Sequence, residues 1–216
     1  MSKLITKKEI IPVLIILCVV AASAIFYSRL PVKVPSHWNA RGEIDGYAGR
    51  GFTVIFFPSL ILGIYLLSTF FPFIDPLKEN VEKFATPYFY LRTILVLFLS
   101  SLYFYTIYAA VKGGAAMPID MFILPALGVM FIAIGYLLPK FKKNYVVGIR
   151  TPWTLHSEEV WNLTHQRAQK WFTGAGIFLI LGGFLKLGIF VLIIMAICLF
   201  YPIVDSYFIY RKVNKK

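Results

Sequence analysis

The chain has few charged residues and few cysteines. Charged side chains make up 15% of its 216 residues, and only ten residues are acidic. Asp120 and Asp205 lie near the ends of apolar runs, where water can reach them, so no carboxylate pair is indicated at the centre of a membrane. Cys18 and Cys198 fall inside apolar runs without Cys-x-x-Cys or Cys-His spacing, which predicts neither a disulfide framework nor a zinc site. We expect both cysteines to be small packing residues.

Sequence motifs for common enzyme chemistries are absent as well. There is no His-Glu-x-x-His zinc motif, no Gly-x-Ser-x-Gly nucleophile elbow and no Walker-type glycine loop. A membrane enzyme would have to use His156 or His165 with Glu158 or Glu159, and a His-x-Glu pattern is too short to indicate a site. We therefore expect a protein without catalytic, cofactor-binding or metal-binding residues.

Apolar sequence is what the chain has in abundance. Hydrophobic residues make up 59% of it and the mean hydropathy is +0.74, which does not suit a soluble domain of this length. The net charge of +12 comes from Lys and Arg at the ends of apolar runs rather than on one face, so it indicates membrane topology and no direct contact with nucleic acid. The composition predicts an integral membrane protein whose main partner is the lipid bilayer.

The lengths of the apolar runs predict an all-α integral membrane protein with six transmembrane helices. A helix rises about 1.5 Å per residue through a hydrocarbon layer of about 30 Å, so one crossing needs about 20 apolar residues. Four runs satisfy this length, and a fifth stretch is long enough for two crossings if it turns at 186–188. The runs are 10–28, 52–73, 89–111, 119–138 and 172–210.

The fifth predicted helix, 172–185, is the short one. At helical rise it spans only about 21 Å, unless it takes in Trp171 and the residues before it. A re-entrant hairpin is the alternative.

The predicted helices divide the chain into three parts. Residues 1–73 hold helices 1 and 2 with a short structured outer loop at 29–51, and residues 74–138 hold helices 3 and 4. Residues 139–216 hold a cytoplasmic loop at 139–171, which includes an amphipathic helix, and then the hairpin of helices 5 and 6.

The distribution of Lys and Arg predicts the orientation. Cytoplasmic connectors are enriched in these residues. Sixteen of the 22 basic residues, Arg92 among them, lie on the side of the two termini and the 139–171 loop, which predicts that both termini are cytoplasmic. The other side holds Arg29, Lys33, Arg41, Arg50, Lys112 and Lys186.

The amino terminus also has features of a secretory signal. Lys3, Lys7 and Lys8 precede an apolar core and an Ala-Ser-Ala sequence at 22–24, which is similar to a cleavage site. The apolar run continues past this site and is long enough to span the membrane. We expect an uncleaved first helix.

The outer loop has the chemistry of a structured turn. Pro31 and Pro35 favour extended backbone before them, and Asp45-Gly46 favours a tight hairpin turn. The loop is interpreted either as a compact interfacial lid, with Trp38 and Tyr47 in the aromatic belt, or as a contact surface for a molecule arriving from outside. The candidate contact residues are Pro35, His37, Trp38, Asn39 and Asp45.

A polar segment with the sequence GIRTPWTL, residues 148–155, lies between apolar runs. Ser157 is predicted to cap a helix that begins with Glu158 and Glu159, where the helix dipole favours negative charge. This helix is predicted to be amphipathic, with Arg167 and Lys170 able to reach lipid headgroups. Its shared face consists of Val160, Trp161, Thr164, Ala168 and Trp171.

Arg150 within this segment has two interpretations. A surface arginine near the membrane can contact lipid phosphates. Alternatively, its planar guanidinium can form a buried bidentate pair with Glu158 or Glu159 and fix the shape of the loop.

The segment GIRTPWTL, with Trp161 and His165 at this spacing between helices 4 and 5, resembles the signature of the SdpI immunity-protein family. The outer loop adds a second resemblance. Its Pro31, Pro35, His37-Trp38-Asn39, Gly42 and Asp45-Gly46 are similar to the small domain of unknown function that precedes this signature in many family members. Together the two resemblances frame nearly the whole chain, with the same six-helix plan.

The resemblance implies a function and two partners. It implies a protein of the prokaryotic plasma membrane that protects its maker against a secreted, membrane-active peptide toxin, with the outer-loop candidates facing the toxin. It further implies that a transcriptional repressor is recruited to the cytoplasmic face. The candidate partner-binding residues there are Gly148, Arg150, Thr151, Pro152, Trp153, Trp161 and His165.

A small-solute transporter is the alternative function. It rests on the helix count and on Pro58, Pro125 and Pro202, which could break helices around a cavity. No inverted repeat is visible in the sequence.

Overall fold

The computed structural model describes residues 4–113, 116–185 and 189–215. This part of the chain contains eight α-helices and one antiparallel pair of strands, β1 (Lys33–Trp38) and β2 (Ile44–Gly49). The helices are α1 (Ile10–Phe26), α2 (Arg50–Phe70), α3 (Lys78–Lys83), α4 (Ala85–Lys112), α5 (Asp120–Leu137), α6 (Pro152–His156), α7 (Glu158–Leu185) and α8 (Ile189–Val213).

Six of these helices, α1, α2, α4, α5, α7 and α8, are long and apolar enough to cross a membrane. The predicted six-helix membrane protein is confirmed. Large apolar side chains such as Ile25, Ile55 and Val129 are exposed on the helices, as expected where lipid rather than water surrounds them. The turn predicted at 186–188 lies outside the described residues, as do the charges of Lys3, Lys186 and Lys216.

The predicted amphipathic helix and the predicted fifth span are one continuous helix, α7, of 28 residues. No proline interrupts this segment, so once nucleated the helix propagates from Glu158 to Leu185. Its length of about 42 Å exceeds the hydrocarbon thickness and removes the reason for a re-entrant hairpin. Four residues of the predicted face are buried, whereas Trp171 is exposed beside Tyr201. The four are Val160, Trp161, Thr164 and Ala168.

Among the described helices, α5 and α7 form the most extensive contact. A Cβ atom added at Gly128 would lie 2.5 Å from the carbonyl oxygen of Gly176, and the reverse addition gives the same distance. Small residues allow backbones in a membrane to approach in this way.

The two cysteines differ in burial. Cys198 is buried in α8, but Cys18 is exposed on α1, so the prediction that Cys18 is a packing residue is wrong.

The three prolines on which the transporter alternative rests do not end their helices. Pro58, Pro125 and Pro202 lie inside α2, α5 and α8, which continue past them. Neighbouring helices can compensate for the missing backbone hydrogen bond in a membrane bundle.

The outer loop forms the β1–β2 hairpin, but its turn is not at Asp45-Gly46 as predicted. Gly46 lies within β2 and pairs with His37. The chain reverses at 39–43, where the Asn39 side chain accepts hydrogen bonds from the N–H groups of Arg41 (2.8 Å) and Glu43 (3.1 Å). Gly42 supplies the positive φ, 75°. An Asx-type turn therefore replaces the predicted tight turn.

The hairpin and the 141–157 segment lie at opposite ends of α4. Trp38 of the hairpin packs edge-on against Tyr105, with ring centroids 5.8 Å apart. Phe84, just before α4, contacts Phe141 at a centroid distance of 5.3 Å. We call these the hairpin end and the loop end.

Candidate functional site

The signature loop is residues 141–157, which join α5 to α7 and contain α6. Its first turn is organised by the buried amide of Asn144. The Oδ1 atom accepts hydrogen bonds from the N–H groups of Val146 (2.8 Å) and Val147 (2.7 Å), and Nδ2 donates to the carbonyls of Lys142 (2.7 Å) and Val147 (3.1 Å). Both groups of the amide are satisfied, so its burial does not leave an unpaired polar atom.

The connector between α2 and α4 holds this turn in place. The Oδ2 atom of buried Asp75 accepts a hydrogen bond of 2.8 Å from the N–H of Tyr145, and its Oδ1 accepts one of 2.6 Å from the N–H of Leu77. Asn80 donates to the carbonyl of Lys143 at 3.0 Å. A bond between neutral groups, such as the one from Asn80, stabilises the fold by about 0.5–1.5 kcal/mol, and a bond to a carboxylate by about 1.5–3 kcal/mol.

Gly148 brings the loop backbone against the side chain of His165. Its φ is 114°, and an added Cβ would lie 2.5 Å from His165 Nε2. The N–H of Ile149 donates to Nε2 at 3.0 Å, and Nδ1 lies 2.8 Å from the carbonyl oxygen of Trp161. Since Nε2 accepts, Nδ1 carries the proton and donates, which makes this histidine neutral.

Trp161 completes this buried contact. Its ring stacks on the His165 ring with centroids 4.2 Å apart, and its Nε1–H donates to the carbonyl of Phe141 at 2.8 Å. Both side chains are fully buried. They therefore position the loop and are not accessible to a soluble partner.

Residues 151–154 of the signature form a capped turn of helix. Thr151 and Thr154 bond reciprocally through side chain and backbone, and Pro152 occupies the first turn of α6. A proline there is favoured because its missing N–H has no partner within a helix. Thr151 and Thr154 are buried, whereas Pro152 is exposed.

The signature loop is also hydrogen-bonded to Ser206 of α8. Trp153 Nε1–H donates to Ser206 Oγ, and Thr151 Oγ1 lies 3.1 Å from the same oxygen. Nearby, Arg167 Nη1 donates to Asp205 Oδ1 at 3.0 Å. Asp205 is only 7% exposed, so the expectation that water reaches it is wrong. Its charge is instead balanced by Arg167.

Arg150 does not form the bidentate pair considered from the sequence. The ion pairs in the described part of the chain include none between Arg150 and Glu158 or Glu159. Its Nη1 donates instead to the carbonyl oxygen of Tyr145, and the residue is exposed. Arg150 bonds to this carbonyl because the turn around Asn144 places Tyr145 close to it.

The sequence candidates in the loop therefore divide into two groups. Gly148, Thr151, Trp161 and His165 set the shape of the loop. Exposed Arg150 and Pro152, with half-buried Trp153, form a surface with a cation and an aromatic ring. Such a surface can bind a partner non-covalently. No group of three or more His, Cys, Asp or Glu side chains that could hold a metal ion occurs among the described residues.

The outer-loop candidates are brought together at the hairpin end. His37 Nδ1 and Asp45 Oδ1 are 2.5 Å apart on exposed strand positions, whereas Pro35 is buried. Trp38 and Asn39 line a cavity of about 300 Å³ between the hairpin and α2, α4 and α5.

The turn of the hairpin carries one perturbed carboxyl. The Asn39 amide donates to Glu43 at 2.8 Å. This hydrogen bond, with the nearby charge of Arg41, lowers the pKa of Glu43 below its usual value.

Sequence reasoning missed a buried polar cluster at the loop end. Arg92 was counted as a flanking charge, but its side chain is 2% exposed and lies 2.6 Å from Glu9 Oε1. It also donates to Thr69 Oγ1 at 2.5 Å, and Tyr65 donates to Glu9 at 3.0 Å. The available signal was a single arginine within an apolar run, which in membranes is usually paired.

Comparison with known proteins supports both sequence resemblances. Residues 140–205 match the SdpI/YfhL protein family, and residues 14–62 match a domain of unknown function (DUF1648). The chain is 26% identical to the immunity protein SdpI of Bacillus subtilis (strain 168) over 212 residues, which are 96% of this chain and 98% of that protein. No solved structure matches it. The resemblance seen in the signature loop and the hairpin is confirmed.

Proposed function

We propose that this multi-pass membrane protein is an immunity protein that protects its cell against a secreted, membrane-active peptide toxin. The observation that carries the proposal is the similarity to an immunity protein along 96% of the chain. Protection of this kind requires binding and no catalysis. Surfaces at the two ends of the bundle are suited to that role.

The proposed orientation places the hairpin outside and both termini with the signature loop in the cytoplasm of a prokaryotic cell. The distribution of basic residues supports it, since the sequence assigns sixteen of the 22 Lys and Arg residues to the side of the two termini and the 139–171 loop. Arg92 is buried in an ion pair with Glu9 and no longer counts as a flanking charge. Without Arg92, fifteen basic residues are still assigned to the cytoplasmic side and six to the other side.

The hairpin is the proposed toxin-facing surface. Its exposed His37 and Asp45 form a polar pair, and Tyr47 is 58% exposed beside them. The cavity beneath Trp38 and Asn39 adds an apolar space with few polar groups, which is the usual composition of a binding pocket.

The signature loop is the proposed docking surface for a transcriptional repressor. Arg150 and Trp153 belong to residue types that are enriched at protein interfaces. Hydrogen bonds to α8 and to Asp75 hold the loop in one conformation. Binding therefore costs little conformational entropy of the loop.

Survival of a toxin-sensitive bacterium tests the proposed function. We expect expression of this chain to raise survival against at least one peptide of a panel of membrane-active toxins. Membrane levels measured by immunoblotting control for expression. Unchanged survival across the panel, with the protein in the membrane, would contradict immunity.

Two matched variants test the hairpin surface. His37→Ala removes one member of the exposed pair, whereas Lys33→Ala changes an exposed residue elsewhere on β1. We expect the first to reduce protection at equal membrane level and the second to leave it unchanged. Equal protection by the two variants would exclude this pair as a contact.

A further inference from the structure

A cleft at the loop end separates α2 from α4 and is closed on one side by the signature loop. Its volume is about 340 Å³, within the range of small-molecule sites. Ile64 and Leu67 of α2, Leu95 of α4, and Val146 and Val147 of the loop give it apolar walls. Leu67 is 55% exposed, so the cleft opens toward the medium around the helices.

One of the residues that line the cleft carries a polar atom without a hydrogen-bond partner in the described part of the chain. Arg92 lines the cleft, and its Nε atom is buried without a hydrogen-bond partner among the described residues. The rest of the guanidinium bonds to Glu9, Thr69 and the carbonyl of Leu4. An unpaired buried donor costs about 1–3 kcal/mol, and an acceptor that enters the cleft would remove this cost.

The charge of Arg92 is already balanced by Glu9, at 2.6 Å. The unpaired Nε–H of Arg92 therefore needs a hydrogen-bond acceptor, but this acceptor does not have to be an anion. A neutral carbonyl oxygen fits this requirement, because a carboxylate or phosphate would place an excess negative charge beside Glu9.

The depth of Arg92 also limits the ligand. Arg92 lies about 10 Å along α4 from its start at Ala85, beside Glu9 at the start of α1 and Thr69 near the end of α2. The 28 residues of α4 span about 42 Å and therefore extend beyond a hydrocarbon layer of about 30 Å, which puts Arg92 near the boundary with the headgroups, where the ester groups of lipids lie. From this level the apolar walls extend toward Ile64 and Leu95, closer to the middle of the helices.

We propose that this cleft binds one acyl chain of a glycerophospholipid, with an ester carbonyl oxygen of the same lipid accepting a hydrogen bond from Arg92 Nε. The apolar walls match the chain, the unpaired donor matches the ester, and both lie at the matching depth. Since Val146 and Val147 form one wall, the bound chain supports the signature loop close to Arg150, which follows Val147 by three residues.

Photolabelling of the purified full chain in detergent tests the proposal. The probe is phosphatidylcholine with a diazirine in its acyl chain, because a zwitterionic headgroup is not drawn to the +12 charge of the protein. We expect saturable labelling of peptides from α2 and α4 that line the cleft. Ile64→Trp fills the cleft and should reduce this labelling at least fivefold, whereas Leu62→Trp, at a 43% exposed position of the same helix, should not.

Competition separates the chemical sources of the ligand. Unlabelled ester-linked phosphatidylcholine should compete about tenfold better than its ether-linked analogue, which lacks the carbonyl oxygens. Arg92→Lys, which keeps the charge and removes Nε–H, should abolish this difference. The proposal is overturned by labelling that Ile64→Trp leaves unchanged, by equal competition from the ether analogue, or by stronger competition from oleic acid.

Discussion

Single residues in the signature loop act mainly through backbone geometry. Gly148 has a φ of 114° and leaves no room for a Cβ beside His165 Nε2. Only glycine adopts this backbone region without strain. The residue that opens the signature therefore has a structural reason to be glycine, independent of any partner.

Gly148→Ala should lower the stability of the protein. Backbone strain and the contact with His165 predict a loss of more than about 2 kcal/mol in the free energy of unfolding. Gly174→Ala is the matched control, because nothing lies within 4 Å of an added Cβ there and alanine favours a helix. Thermal unfolding in detergent measures both. A Gly148 variant as stable as the control would contradict the described contact.

Arg150→Lys should preserve most of the function of the loop. The bidentate pair that would make lysine unsuitable is absent, and lysine can still donate one hydrogen bond to the Tyr145 carbonyl. Arg150→Ala should reduce repressor recruitment or toxin protection more strongly than the double change Lys142→Ala with Lys143→Ala. Matched membrane levels are required. If Arg150→Lys is as harmful as Arg150→Ala, a partner uses the guanidinium fork itself.

Three separate helical elements are joined at the loop end by one buried ion pair. Glu9 precedes α1, Arg92 lies in α4, and Thr69 and Tyr65 of α2 bond to them. Replacing one partner of a buried pair leaves an uncompensated charge, which costs more than the intact pair contributes.

Glu9→Gln should therefore destabilise the bundle. We expect a loss of roughly 3 kcal/mol, at the lower end for a broken buried pair, because the glutamine oxygen can still accept a hydrogen bond. Glu79→Gln, at an exposed position of α3, is the control and should change stability little. Unfolding in a graded series of denaturing detergent gives both values. Equal stability of the two variants would show that the pair does not hold these elements together.

At the scale of the whole molecule, the bundle has two chemically different ends. The hairpin end has strands, exposed polar side chains and a cavity under Trp38. The loop end has most of the basic residues that the structure describes, the buried Glu9–Arg92 pair and the signature loop, which is hydrogen-bonded to α8. The proposed function, with a toxin on one side and a repressor on the other, requires such an asymmetry.

Reporter fusions should locate both termini in the cytoplasm. Alkaline phosphatase fused after the carboxy terminus is expected to be inactive, and green fluorescent protein at the same position is expected to fluoresce. The reason is the excess of Lys and Arg at the loop end. An active phosphatase would contradict either the orientation or the even number of crossings.

The class of protein, the six apolar helices and the two segments that resemble the SdpI family could all be predicted from the amino-acid sequence. These features depend on composition and on apolar length, which each segment carries locally. The serine cap at Ser157 was local too, and its hydroxyl accepts a hydrogen bond from the N–H of Val160 at 3.3 Å.

The pairing of the polar residues could not be predicted in the same way, because it depends on the packing of distant segments. Arg92 is far from Glu9 in sequence, and Asp205 is far from Arg167, so no local pattern links them. The position of the turn at 39–43 also depends on pairing between segments. Gly46 pairs with His37 across the hairpin and therefore cannot form the turn. For Arg150 the sequence allowed lipid phosphates or a glutamate as partner, whereas the fold of the Asn144 turn places the backbone carbonyl of Tyr145 beside it. Such pairings depend on which distant segments meet, and that is fixed only when the helices pack.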